Sequence, residues 1–345
     1  MMLLKRLTTF GVLSALCSTS VFAEQSVKHI SSYKEPVPLK RIEPKYPISA
    51  AKEGREGWTK MSFIVEEDGS VSNVMVIDSS GSKDFNKTAL KAVKQWKYSP
   101  AIENGKPIQQ CINTLKMSFS MRDNGAKGVT RRFRTKYLAA IDALEQKDYK
   151  KTEQLIEKLT KNSKMHLTEA NLYHILIADY AKSIANETLE IQHLKLVSTN
   201  TSSLSPQNAY NILTRIFFLE IKKNQLYNAV NTYEKIKKLD VAKPYIEHFD
   251  KMMNQIDDLI NSDQPITVKA NLKNKNFWFY QLVRNKFSIT NIKGNLNKID
   301  VRCANKHHIY TMADDHTWAI PDDWKHCSLM IFGDEQSSFS LIEQS

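Results

Sequence analysis

The sequence predicts an α+β module first, then an all-α region of helical hairpins, then a small all-β domain stapled by a disulfide. Three observations carry that reading. Alternating runs at residues 58–65 and 108–119 flank a segment, 85–96, whose apolar residues recur at spacings of three and four. Residues 131–260 contain no glycine and only Pro206 and Pro244. Beyond Pro265, short aromatic and β-branched runs separated by Asn- and Gly-containing turns surround Cys303 and Cys327.

A chain of 345 residues has room for two or three domains. Its 41% hydrophobic and 25% charged content suits a chain that buries a core. The first residues stand apart from the fold. Lys5 and Arg6 are a short positive region, Leu7 to Leu16 is mostly apolar, and Val21-Phe22-Ala23 places small residues before Glu24. This is the pattern of a cleaved secretory signal over residues 1–23, with export to the periplasm as its consequence. Thr8, Thr9, Gly11, Ser14 and Ser18 interrupt the apolar run that a spanning helix needs. Leu16 precedes Cys17, where a lipidation signal wants a small residue.

Cleavage would lower the net charge from +12 to +10, because Lys5 and Arg6 leave with no acid. Lysines are spread along the chain, which reads as a solvated surface or as affinity for anionic partners such as peptidoglycan. Export argues against nucleic acid as a partner. Cys111, Cys303 and Cys327 would survive cleavage, and an oxidising compartment favours pairing two of them. Cys303 and Cys327 share one segment, so they are expected to pair, with Cys111 left as a buried free thiol.

In the first module, residues 34–122, Pro36, Pro38, Pro44 and Pro47 favour an extended entry, and Ser49 to Lys52 allows a turn or two of helix. Thr59, Met61, Phe63 and Val65 form the more apolar face of a strand. Glu66-Glu67-Asp68-Gly69 supplies a turn, and Val71 to Ile77 the return strand. Asp84 is a candidate cap for a helix bearing Phe85, Ala89, Ala92, Val93 and Trp96, which Pro100 would end. The last run places Ile108, Gln110, Ile112, Thr114, Lys116 and Ser118 on one face, and Cys111, Asn113, Leu115, Met117 and Phe119 on the other.

Several segments, taken in order, make this module resemble the TonB C-terminal domain. They are Glu43-Pro44-Lys45-Tyr46-Pro47, Gly54 with Glu56-Gly57, Met61 through Val71, Ala89 through Ala101, and Asn104-Gly105-Lys106-Pro107-Ile108. The resemblance implies a TonB-C-like α+β fold whose last strand is a sheet edge that accepts an extended partner segment. Partners implied are envelope proteins: an outer-membrane receptor or components of a TonB-type transport system. Carried onto this sequence, the partner-binding residues are Ile108, Gln110, Ile112, Thr114 and Lys116, with Tyr46 and Pro47 near one end. Backbone hydrogen bonds would give affinity and alternate side chains selectivity. Proline at Gln110 or Ile112 is expected to remove an edge hydrogen bond. A second copy could cover the same edge and make a homodimer. The chain departs from a TonB energy transducer: the module comes first, with no Pro-rich spacer before it, and residues 1–23 hold no His.

In the middle region, 130–261, helices are expected at 132–145, 148–160, 168–184, 187–197, 206–222, 226–238 and 245–260. Second helices beginning near Tyr149, Glu187 and Leu226 lie about 38 residues apart, which resembles tetratricopeptide-like hairpins of standard period about 34. A plain helical bundle remains the alternative. Phe217, Phe218, Tyr227 and Tyr233 read as hairpin core. In the β-domain, 265–345, His307, His308, His316 and His326 flank the cysteines. Adjacent His and Cys on a strand point to opposite faces, so a disulfide is favoured over zinc, with no metal and no other cofactor expected. No nucleophile elbow, phosphate loop or framed pair of acids occurs, and Asp314-Asp315-His316 and Asp322-Asp323 read as loop acids, so no catalytic residue is assigned.

Overall fold

The computed structural model describes residues 33–121, 128–160, 165–197, 204–272, 275–312 and 316–345. Residues 1–23, expected to be a signal segment and including Cys17, and the acids Asp314 and Asp315 lie outside the described residues.

The first region runs β1 (Tyr33–Lys34), β2 (Val37–Lys40), α1 (Ile48–Glu53), β3 (Gly57–Val65), β4 (Val71–Ser79), α2 (Lys83–Val93), β5 (Lys97–Ser99), β6 (Ala101–Glu103), β7 (Lys106–Ile108) and β8 (Gln110–Phe119). Strands β4, β3 and β8 form an antiparallel sheet in that order, so β8 is an edge. One sheet face packs Met61, Phe63 and Val65 against Phe85, Ala89 and Val93 of α2, with Trp96, Tyr98 and Phe119 closing the core. The Glu66–Ser70 turn needs Gly69, whose φ is 76° and where an added Cβ would meet the Tyr98 carbonyl oxygen at 1.9 Å.

The structure corrects four expectations here. Helix α2 begins after Ser82 rather than at an Asp84 cap. Asp84 instead holds Arg55 in an ion pair at 2.6 Å. The helix ends at Val93, ahead of Pro100, and three short strands occupy residues 97–108. Ile108 belongs to β7, opposite Ala101, and not to the edge strand. A β-bulge between the pairs Met61↔Leu115 and Phe63↔Ile112 inserts one extra residue into β8. It breaks the strict alternation, so Ile112 joins Leu115 and Met117 against the core, while Cys111 looks the other way.

The helical region comprises α3 (Arg131–Glu145), α4 (Tyr149–Thr160), α5 (Leu167–Ser183), α6 (Glu187–Leu196), α7 (Pro206–Lys222), α8 (Leu226–Ile236), a 3₁₀ turn (Asp240–Tyr245) and α9 (Ile246–Asn261). Helices α3/α4, α5/α6 and α7/α8 pack as hairpins. Their three turns share one geometry. Lys147, Ala185 and Asn224 are left-handed at φ 60°, 55° and 55°. The next N–H closes on a carbonyl five residues back: Asp148 on Ala143, Asn186 on Ala181, Gln225 on Glu220. Ion pairs join the second and third hairpins. Arg215 of α7 reaches Glu190 and Asp179, and Lys195 of α6 reaches Glu220 of α7 at 2.9 Å. Phe217 and Tyr233 are buried with Phe249, whereas Phe218 is exposed, contrary to its reading as core.

The last region comprises β9 (Ile266–Asn271), β10 (Phe277–Gln281), β11 (Lys286–Lys293), β12 (Leu296–Arg302), β13 (His307–Thr311), β14 (Thr317–Ala319), β15 (Ser328–Gly333) and β16 (Ser338–Gln344). They form two four-stranded antiparallel sheets, β10-β15-β12-β13 and β14-β11-β16-β9. Phe287, Ile289, Ile299, Leu329, Ile331 and Leu341 fill one shared core. Cys303 and Cys327 are disulfide-bonded, and Cys111 is free and buried. Arg284 ties this region to the helices, since its guanidinium donates to the carbonyls of Leu259, Ile260, Ser262 and Gln264 at the end of α9.

A candidate partner-binding edge

Trp58 donates no hydrogen bond toward β8: its N–H and carbonyl both engage Ser80 on the β4 side. Antiparallel ladders alternate, so Gly57, Thr59, Met61, Phe63 and Val65 are the β3 residues facing β8. Their partners on β8 are Phe119, Met117, Leu115, Ile112 and Gln110. The backbone groups of Cys111, Lys116 and Ser118 therefore point away from the sheet. For Cys111 this is seen directly, because its N–H donates to the Cys303 carbonyl at 3.3 Å.

That assignment corrects the expectation for proline. The N–H groups of Gln110 and Ile112 face β3, so proline there would break the ladder rather than the open edge. The edge is divided. At the Cys111 end, Cys111 Sγ contacts the Lys306 carbonyl, and Asn113 Nδ2 donates to the carbonyls of Arg302 and His326. At the other end, Thr114, Lys116 and Ser118 are exposed, and among the described residues no backbone partner lies outside β3 for them. Tyr46 sits beside that open end, against Phe119. The Tyr46 ring packs edge-on against Phe85 and Phe119, and its hydroxyl donates to the Arg55 carbonyl. Burial, with Glu56 adding to it, pushes the Tyr46 phenol up to about 12, so it stays a neutral donor. Pro47 is the residue before α1. Trp96 is buried, and its Nε1 donates to the Ile42 carbonyl.

The outer face of the sheet is covered along β3, which sequence reasoning missed. Strand β3 is buried on both sides. Met75 and Ile77 pack on Phe277, Phe279, Met330 and Phe332 of the last region. Arg302, 0% exposed, donates to both Asp300 carboxylate oxygens, to Ser62 Oγ and to the Asn73 carbonyl. His307 Nε2 lies 2.9 Å from Asp300. Burial pushes the Asp300 carboxyl up, but the His307 and Arg302 hydrogen bonds outweigh it and hold the group below its ordinary value. His307 meets Asp300, the His308 ring lies tilted against Tyr310, and the sulfurs of Cys303 and Cys327 bond each other.

Comparison with known proteins bears on the first region alone. The family described as Gram-negative bacterial TonB protein C-terminal matches residues 42–121. Protein TonB of Vibrio cholerae is 34% identical over 73 residues, 21% of this chain and 30% of that protein. Protein TonB of Escherichia coli K12 is 35% identical over 72 residues, 21% of this chain and 28% of that protein. The chain thus spans under a third of the length of these relatives. Among solved structures, that of the Pseudomonas aeruginosa TonB CTD is 27% identical, covering 26% of this chain and 90% of that one, at a TM-score of 0.24. Residues 42–121 of this chain therefore belong to the TonB C-terminal domain family.

Proposed function

We propose that this chain is a non-enzymatic, exported binding module of the periplasm that works with a TonB-type envelope transport system. Its open β8 edge would capture an extended segment of an outer-membrane receptor or of another component of that system by strand addition. The observation that carries this reading is the outer edge of Thr114–Ser118, which among the described residues has no backbone partner beyond β3, at the end of a β4-β3-β8 sheet in a region that matches the TonB C-terminal domain family. An unpaired edge supplies backbone donors and acceptors to an incoming strand, each bond contributing about 1 kcal/mol net. Among the described residues no helix is long and apolar enough to cross a membrane.

The test is Ser118→Pro, which removes an outward N–H while leaving the bonds to β3. Capture of envelope proteins should fall about five-fold or more with the melting temperature nearly unchanged. Undiminished capture would sink strand addition.

A second reading has its own support in the three hairpin turns of identical geometry at Lys147, Ala185 and Asn224. Under it, tetratricopeptide-like hairpins bind the partner and the first module docks to the wall or to another protein. Ser118→Pro would then leave capture intact, and substitutions on the exposed helix surface, such as Leu138→Asp, would abolish it.

A further inference from the structure

Across the outer face of the sheet, Asp78 of β4, Lys60 of β3 and Lys116 of β8 lie in one row, as successive pairs Lys60↔Asp78 and Lys60↔Lys116. Cross-strand neighbours of opposite charge stabilise a sheet and like charges oppose it. Asp78 lies directly opposite Lys60 and acts on Lys116 only from two strands away, and among the described residues no acid lies directly opposite Lys116. The neighbouring helices add positive charge. Burial lowers the Lys60 ammonium against the pull of Asp78, with Lys235 and Lys195 adding to the lowering. Lys116 is exposed as a residue, but its ammonium is lowered likewise, first by partial desolvation and then by Lys235 and Lys60, against the pull of Asp78. Lys195 is committed to Glu220, whereas Lys235 is exposed. The Lys116 ammonium rests 4.9 Å over the Trp58 ring, a position it can leave at small cost.

On the β8 side the row ends at a vacant neighbour, the position opposite Lys116 on a strand added to β8. The same edge cannot be paired along its whole length. The Cys303 carbonyl takes the outward N–H of Cys111, and Asn113 is bound by Arg302 and His326, so the last region stops an incoming strand before it reaches the bulge. The disulfide to Cys327 fixes Cys303 in that place.

We propose that this edge selects a short extended segment, spanning about the length of Thr114–Ser118, that carries an aspartate or glutamate opposite Lys116. The carboxylate would complete a row of negative, positive, positive and negative charges across four strands. The last region acts as the register stop. This inference rests on strand addition at β8 and specifies the chemistry of the strand.

A phage-displayed library of random ten-residue peptides, panned against the full chain and against Lys116→Glu, tests it. Lys116 is exposed, so the exchange is compatible with the fold. The expected result is an acidic consensus position for the natural chain and a basic one for Lys116→Glu. Exchanging that acid for lysine in the best peptide should weaken binding about five-fold, the upper end for such a pair. Hydrogen exchange should show the peptide slowing the amides of Lys116 and Ser118 and leaving that of Cys111 unchanged. Peptides that protect the edge equally well whatever their charge would overturn the charge selection while leaving strand addition standing. Protection extending through Cys111 would overturn the register stop. Failure of every selected peptide to protect Lys116 or Ser118 would remove strand addition, and the selection with it.

Discussion

Arg302 shows how much one residue holds. It is fully buried with Asp300, and it reaches across to Ser62 and the Asn73 carbonyl in the first region. Desolvating this pair is costly, and its geometry offsets the cost only while both charges are present. Arg302→Ala leaves Asp300 ionised in a buried site and should cost about 3–5 kcal/mol in chemical denaturation. Replacing the pair with apolar residues of similar volume, Asp300→Leu with Arg302→Met, should cost much less. A full loss in the double variant would show that the ions themselves hold the two regions together. Arginine in an alternating run reads as a solvated residue, and only the sheet packed against it, more than two hundred residues away in the chain, makes it interior. No local pattern in the sequence carries that information.

Elements were legible where one periodicity ruled. The three hairpins appear where the spacing of apolar residues placed them, with second helices starting at Tyr149, Glu187 and Leu226. Strand β3 was legible as a strand, but Trp58, Lys60, Ser62 and Ile64 look like a half-polar outer face, and the packing of another region on them was not. The bulge in β8 was invisible because one inserted residue changes no residue type, yet it moves Ile112 to the core and Cys111 outward. The three turn residues also escaped, since Lys147 and Ala185 occupy left-handed positions that a Cβ disfavours. Ala185→Gly should therefore stabilise the chain, by up to about 1 kcal/mol in thermal or denaturant unfolding. Destabilisation would mean that Ala185 makes contacts worth more than its strain. Within the second hairpin, His174 Nδ1 lies 3.0 Å from His193 Nδ1. Burial, reinforced by His193, pushes His174 down to about 4, and burial lowers His193 as well. The unfolded chain takes up these protons first, so the sign is fixed. Stability is unaffected above about pH 7 and falls as pH drops from about 6.5 towards 4, by on the order of 2–3 kcal/mol for His174 alone. His174→Phe should flatten that part of the stability–pH profile; an unchanged profile would place the titration elsewhere.

At the scale of the molecule, the regions are joined through buried contacts rather than strung along linkers. Met75 and Ile77 share a cluster with Phe277 and Met330, Arg284 ends α9, and the Tyr280 hydroxyl contacts the Asn224 carbonyl. A disulfide 24 residues apart in the chain holds the segment that meets the β8 edge. Closing a loop of that size stabilises by about 3 kcal/mol in the chain-entropy account. The Cys303→Ala, Cys327→Ala double variant should lose about that much, and it should also speed hydrogen exchange at Cys111. Unchanged exchange at Cys111 would show that the edge contact does not depend on the bridge. The family resemblance made the edge itself legible at Thr114 and Lys116, and left unseen how much of it this chain covers with its own last region.

In-cell photo-cross-linking from the edge tests the central claim most directly. A benzophenone side chain placed at Ser118 or Thr114 should cross-link to one extended stretch of an envelope protein, and the same group at exposed Leu138 on α3 should not. Cross-links from Leu138 with none from Ser118 or Thr114 would contradict capture at the β8 edge.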